Sequence, residues 1–320
     1  MDPAIAAFGL GVGVLVGMTG IGGGSLMTPL LILVFGIKPV TAVGTDLAYG
    51  AVTKTVGGWR HLRQGTVDMS LSMWMAVGSV PAAVGGVYIL ELLENAYGDE
   101  FDDILIVVLA ITLLFTGIVT LTRALFLKAL RDKERHSIEM TRRNKISAAV
   151  LGALVGFVLG VTSAGSGALI AVGLIMLFRL VPSRVVGTDI FHAAILLWAA
   201  SAAHIVAGNV DFSLAGNILI GSVPGVWIGS NLTLRVGAAV LRTTLALVLM
   251  GAGLALLTKA GVGIPGLVIA AFPATIAILV TTVLIRDRRN ERAAPGKHAA
   301  ESAADPGALP AAPAEGSTTP

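Results

Sequence analysis

The chain contains no cysteine. That excludes disulfides, thiolate metal sites and cysteine nucleophiles, and carries no information about compartment. Charge is scarce as well. Asp, Glu, Lys and Arg make up 13% of the 320 residues, against about 25% in a soluble domain. The N-terminus, MDPAIAAFGL, lacks the basic region of a standard secretory signal peptide. What fills the chain instead is apolar: 55% of residues are hydrophobic and the mean hydropathy is +0.87.

Apolar runs occupy approximately 4–18, 25–36, 40–59, 70–90, 104–122, 146–161, 168–180, 185–203, 213–230, 239–257 and 264–285. Many approach the ~20 residues that cross a bilayer. They are continuous, not alternating, which points to helices and away from a β-barrel. The expected fold is therefore an all-α polytopic membrane protein. Two runs, 4–18 and 25–36, are short, about 22 and 18 Å as helix. Between them stand three consecutive glycines, Gly22, Gly23 and Gly24.

A repeat organises the rest. Shifted by 143 residues, positions 13–86 align with 156–229 without a gap, with 26 identities in 74 positions. Gly17, Thr19, Gly22 and Gly24 fall on Gly160, Thr162, Gly165 and Gly167. GTD at Gly44–Asp46 falls on GTD at Gly187–Asp189, His61 on His204, GTVDMSL at 65–71 on GNVDFSL at 208–214, and GSVP at 78–81 on GSVP at 221–224. Shared hydrophobicity does not place His, Asp, Pro and Gly in register.

Charge in the loops gives the expected orientation. Arg123–Lys145 carries eight Lys/Arg and three acids, whereas Glu91–Asp103 carries six acids and no base. The positive-inside rule puts the first in the cytoplasm. Arg60 and Arg63 then mark a cytoplasmic loop whose repeat partner, 203–212, has no Lys or Arg, while Arg179 and Arg184 mark the opposite bias in the other half. A bias that flips between halves indicates inverted-topology repeats of about five helical segments, each with a glycine-rich break. The expected organisation is membrane repeat 1 (1–123), a basic cytoplasmic loop (124–145), membrane repeat 2 (146–258) and a C-terminal transmembrane helix (259–285). A disordered cytoplasmic tail (286–320), rich in Ala, Pro, Gly and Ser, follows.

The duplicated break is the leading candidate site. Irregular backbone at membrane depth survives where it is buried in protein or lines a cavity. Half-helices starting near Ser25 and Ala168 would aim free N–H groups at an anion. Thr19, Gly22, Gly23, Gly24, Ser25, Thr162, Ser163, Gly165, Ser166 and Gly167 would form that cradle. Close helix packing through small residues is the other reading of these glycines. A dinucleotide loop would need a preceding strand, which is absent from this pattern.

Asp46 and Asp189 are candidate coupling groups, since a carboxylate at mid-bilayer is costly; N-capping near the interface is the alternative. His61 and His204 are further coupling candidates, or interfacial structural residues. Lys54 either attracts an anion or snorkels. Asp68 and Asp211 are expected to cap the following helices, and Pro81 and Pro224 to sit within theirs. No metal-ligand spacing stands out, and no cofactor is expected.

GIGGG, the following proline in a short loop, GTD, and H…GxVD repeated in a second half resemble the TauE/SafE family of sulfite-exporter or toluenesulfonate-uptake permeases. The resemblance covers residues 4–285. It implies a bacterial inner-membrane secondary transporter for sulfite, sulfonates or related organic anions, and no catalytic residue. The second half departs from the triple glycine, reading SAGSG at 163–167. Expected partners are a small anionic substrate and the lipid bilayer, without nucleic acid; proton coupling and homo-oligomerisation are left open. A passive anion channel is one alternative. An intramembrane serine hydrolase built on Ser166 and His204 is the other, although Ala164 stands where its G-x-S-G signature needs glycine.

Overall fold

The structure is a computed structural model that describes residues 3–19, 24–126, 135, 137–233, 238–267, 271–272 and 275. Ten helices of more than one turn run through them: α1 (Pro3–Thr19), α2 (Gly24–Val34), α3 (Pro39–Arg63), α4 (Met69–Tyr97), α5 (Asp99–Phe126), α6 (Arg142–Thr162), α7 (Ser166–Phe178), α8 (Pro182–Val206), α9 (Phe212–Thr233) and α10 (Ala238–Lys259). The described residues contain no strand longer than an isolated bridge. Among the described residues, five helices are long and apolar enough to cross a membrane: Met69–Tyr97, Glu100–Thr122, Arg142–Thr162, Pro182–Val206 and Phe212–Ser230. The chain is thus a polytopic, all-helical membrane protein.

Local chemistry explains the helix starts, and the two repeats use the same devices. α3 and α8 open on Pro39 and Pro182, where the missing N–H costs no intrahelical bond. Leu71 N–H donates to Asp68 Oδ1 at 3.0 Å, and Leu214 N–H donates to Asp211 Oδ1 at 2.9 Å. Both aspartates therefore cap the following helix, as expected. Pro81 and Pro224 lie inside α4 and α9.

α1 packs on α9, and its repeat counterpart α6 packs on α4, the counterpart of α9. α3 packs on its own counterpart α8, and α5 on α10. The first helix of each repeat thus lies against the fourth helix of the other. Glycine makes these contacts possible. Gly9, Gly13 and Gly17 of α1 lie on the backbone of Ile218, Ser222 and Val226. Gly221, Gly225 and Gly229 of α9 lie on Ala6, Leu10 and Val14 in return. In the other pair, Gly152, Gly156 and Gly160 of α6 meet Met75, Ser79 and Ala83, and Gly78 meets Ala149. A Cβ at Gly9 would stand 2.6 Å from the Ile218 carbonyl oxygen, closer than any real side chain sits. The G-x-x-x-G spacing on three of these helices is the sequence signal for such contacts. The sequence reading noted close packing as an option at the breaks and missed it along the full helices.

Register gives relative direction. Along α3, Gly50 lies against Leu197 and Gly57 against Ile190, so α3 and α8 run antiparallel. Along α5, Gly117 lies against Ala246 and Met250, while Gly253 lies against Ala110 and Leu114, so α5 and α10 also run antiparallel. α3 is long enough to span but is less apolar than the five above. Its polar residues Thr45, Asp46 and Tyr49 are fully buried against protein, which is what makes them tolerable at membrane depth.

Two expectations need adjusting. The acidic stretch 91–103 is helical on both sides of a single break at Gly98, whose φ is +56°. α2 and α7 begin at Gly24 and Ser166, one and two residues earlier than expected. Residues 127–134 and 136 of the basic loop, most of the segment 264–285 and all of the tail lie outside the described residues.

The glycine contacts predict a sharp contrast. Gly156→Ala, which would press a methyl onto the Ser79 carbonyl, lowers stability by at least about 1–3 kcal/mol through overpacking. Gly85→Ala, which meets nothing within 4 Å, is neutral or stabilising by up to about 1 kcal/mol. Thermal unfolding in detergent, followed by size-exclusion fluorescence, checks both.

Candidate functional site

The chain between α6 and α7 breaks through two left-handed residues on either side of Ala164. Ser163 adopts φ +57° and Gly165 φ +89°. A left-handed residue ends a helix readily when it is glycine and costs roughly 1–2 kcal/mol otherwise. Ser163 is therefore held there by its partners. In the matching break between α1 and α2, Gly22 and Gly23 lie outside the described residues, and Gly24 opens α2. The first N–H groups of α2 and α7 have no intrahelical acceptor, as at any helix start. Gly165 N–H donates to Ser25 Oγ at 3.2 Å, so the second residue of α2 meets the opposite break. Lys259, the last residue of α10, donates from Nζ to the Ile32 carbonyl at 2.6 Å and satisfies the C-terminal end of α2.

Asp46 lies at the centre of this junction. It is eight positions into α3, 1% exposed, and Lys38 occupies the cap position. It is not an N-cap. Thr28 Oγ1 of α2 donates to Asp46 Oδ2 at 2.7 Å, and Ser163 Oγ of the α6–α7 break donates to the same oxygen. Thr28 and Ser163 are 3.2 Å from each other. Asp46 Oδ1 has no hydrogen-bond partner among the described residues. One carboxylate thus ties together α2, α3 and the break of the other repeat. Thr28 was not among the expected site residues. Only its position one turn into the half-helix could have pointed to it.

The counterpart is chemically different. Asp189 is 7% exposed, eight positions into α8, and again not a cap. The positions matching Thr28 and Ser163 are Ala171 and Gly20, so the two hydroxyls that clamp Asp46 are not repeated at the matching positions. Asp189 instead interacts electrostatically with Lys54 of α3, whose repeat partner is Leu197. A second unlike pair stands nearby. His192 Nε2 lies 2.9 Å from Ser79 Oγ of α4. At the matching position, Tyr49 of α3 lies beside Ser222 of α9. Both aromatic side chains are fully buried. The serine of each GSVP motif therefore meets position 49 or 192 of the opposite repeat, an arrangement the sequence reading missed because tyrosine and histidine do not match.

The expected histidines have local roles. His61 Nδ1 lies 3.0 Å from Thr66 Oγ1, just beyond the end of its own helix. His204 Nε2 lies 3.1 Å from the Gly160 carbonyl near the end of α6, fully buried. Neither touches Asp46 in these bonds. Thr162 donates to the Val158 carbonyl at 2.7 Å and accepts from Ala164 N–H at 3.3 Å, so it closes the end of α6. Ser166 and Gly167 form the start of α7; the side chains of Ser166 and Thr19 lie outside the described residues.

The two repeated motifs lock onto each other across the halves. Thr45 Oγ1 accepts from Asp211 N–H at 3.0 Å, and Thr188 Oγ1 accepts from Asp68 N–H at 2.9 Å. Gly44 lies on the Asn209 backbone and Gly187 on the Thr66 backbone. The Gly-Thr of each GTD thus receives the GxVD turn of the other half, which presents the adjacent Asp46 and Asp189 to the interior.

A family model described as sulfite exporter TauE/SafE matches residues 5–256. The chain belongs to the TauE/SafE family. Within or near that family it is similar to two proteins of Bacillus subtilis (strain 168). The probable membrane transporter protein YjnA is 39% identical over 257 residues, covering 80% of this chain and 100% of the relative. The probable membrane transporter protein YdhB is 30% identical over 246 residues, covering 77% and 96%. No solved structure matches the chain. The match spans both breaks, both GTD motifs and all ten helices except the first residues of α1 and the last of α10, so this TauE/SafE chain is a membrane transporter or permease in class.

The clamp on Asp46 predicts an order of stability. Ser163→Ala removes one charge-assisted hydrogen bond and keeps a side chain in the left-handed region, lowering stability by about 1.5–3 kcal/mol. Ser163→Gly loses the same bond but relieves about 1 kcal/mol of backbone strain, so it unfolds at a higher temperature than Ser163→Ala. Thermal unfolding of the two variants side by side checks the order.

Proposed function

We propose that the chain is a secondary carrier for small sulfur-containing or organic anions, such as sulfite or a short sulfonate, coupled to protons through Asp46. The observation that carries the coupling is the buried Asp46 carboxylate, held by Thr28 and Ser163 where the break of one repeat meets α2 of the other. An anion cradled by the N–H groups and hydroxyls of that junction would stand on the order of 4 Å from the carboxylate. At that separation two like charges repel by about 4 kcal/mol at an effective dielectric constant near 20. An ionised Asp46 and a bound anion therefore exclude each other. Entry of the anion is linked to protonation of Asp46, which moves one proton with each anion.

The wider setting of this reading is a bacterial plasma membrane, with the basic segment 123–145 and the tail on the cytoplasmic side. This reading takes the repeats as inverted; the antiparallel packing of α3 on α8 and of α5 on α10 supports it, because a two-fold axis in the membrane plane produces that arrangement. Asp189 and Lys54 form a second charged element further along α3 and α8. The role is transport and not catalysis.

Flux into proteoliposomes under an imposed pH gradient tests the proposal, with labelled sulfite, a short sulfonate and sulfate compared. Saturable, gradient-driven uptake of at least one is expected. Asp46→Asn lowers the gradient-driven part on the order of tenfold or more, the equivalent of about 1.4 kcal/mol. Gradient-driven uptake undiminished in Asp46→Asn would remove Asp46 from the coupling step.

A further inference from the structure

Threonines on α5 fall into two kinds. Thr112, half-buried with its methyl toward Gly165, and Thr122, exposed, turn their hydroxyls back to the carbonyls of Val108 and Ile118, each at 2.8 Å. That is how a threonine satisfies itself within an apolar helix. Thr116 and Thr120 do not. They are 1% and 2% exposed, and their Oγ1 atoms have no hydrogen-bond partner among the described residues. Thr243 of α10 is also buried with an unpartnered Oγ1.

These three hydroxyls are not scattered. A Cβ at Gly165 would stand 2.8 Å from Thr116 Oγ1, so this hydroxyl lies on the left-handed residue of the α6–α7 break. Thr120 is about one turn, or 6 Å, further along α5. Because α5 and α10 run antiparallel with Gly117 against Ala246 and Met250, Thr243 falls beside the Thr120 end of the contact. The file leads from the break toward the end of α5 that continues into the basic segment after Arg123. Buried hydroxyls are nearly always paired. Three that forgo an available partner on a line between a helix break and a basic loop are donors kept for something that passes.

We propose that Thr116, Thr120 and Thr243 line a hydrated route between the break and the end of α5, and donate hydrogen bonds to a small oxyanion moving along it. Neutral donors suit this task, because they replace water around the anion without holding it as a fixed cation would. The assignment rests on the transport reading above and adds the path to it.

The absence of native cysteine allows a direct test. Thr116→Cys, Thr120→Cys and Thr243→Cys are made singly, with Leu113→Cys as a control, since Leu113 is fully buried on the same helix. Full-length protein in membranes is treated with an anionic methanethiosulfonate reagent, and the mass shift is followed. The three threonine positions label at least about tenfold faster than Leu113→Cys, because both thiolate formation and reagent access need water. The transported anion slows that labelling. Thr116→Val, nearly equal in volume, lowers flux at unchanged folded yield, and Thr116→Ser restores it. Flux without faster labelling overturns this proposal and leaves the transport reading intact. In protein that carries flux, labelling that the transported anion fails to slow also overturns it, as does full flux in Thr116→Val. Labelling without flux of any tested anion overturns the transport reading instead.

Discussion

In a bilayer, lipid tails cover a leucine surface as well as another helix does, so helices associate where protein approaches more closely than lipid can. Glycine provides that approach here. α1 and α9 lie backbone to backbone through two interleaved glycine rows, and α6 and α4 approach as closely through the glycine row of α6 with Gly78 and Gly86 of α4. Each pair joins the first helix of one repeat to the fourth of the other. Each repeat thus finds its most extensive helix packing in the other. The whole membrane domain depends on this exchange, and the site depends on it too, because the breaks follow directly from α1 and α6.

Once those helices are exchanged, each half completes the other. The threonine of one GTD satisfies the turn that starts the fourth helix of the opposite half, and that turn's aspartate then caps the helix. The hydroxyl of Ser163 crosses in the same way to Asp46. Buried polar groups in a membrane need partners, and in this molecule several of the decisive partners come from the other repeat. These polar bonds supplement an apolar core that draws on residues of both repeats.

The scaffold is nearly symmetric, yet its chemistry is not. Asp46 is clamped by two hydroxyls, whereas Asp189 interacts with Lys54. Tyr49 and His192 occupy matching places against Ser222 and Ser79. Duplication supplied equivalent positions, and side-chain divergence at positions 28, 49, 54 and 163 gave them different partners. In the proposed carrier one aspartate reports the anion and the other belongs to a charged pair. The α5 threonines join the clamped half, since Thr116 lies on the break that supplies Ser163.

The helical, membrane-spanning character, the duplication, the place of each break and the capping by Asp68 and Asp211 were determined by the sequence itself. They rest on local properties: length and continuity of apolar runs, glycine in a helix, and an aspartate before one. Membership of the family was legible too, because its motifs recur in order. The partners were not. Thr28, Tyr49, His192, Thr116 and Thr120 look ordinary in the chain, and nothing in their spacing ties Thr28 to Ser163. His61 and His204 match across the repeats, yet each bonds backbone or a neighbouring threonine away from Asp46. A repeat comparison pairs each residue with its counterpart, whereas the exchanged packing pairs it with residues of the opposite half. Those contacts arise only when the glycine rows bring two backbones together, and that is a property of the assembled helices.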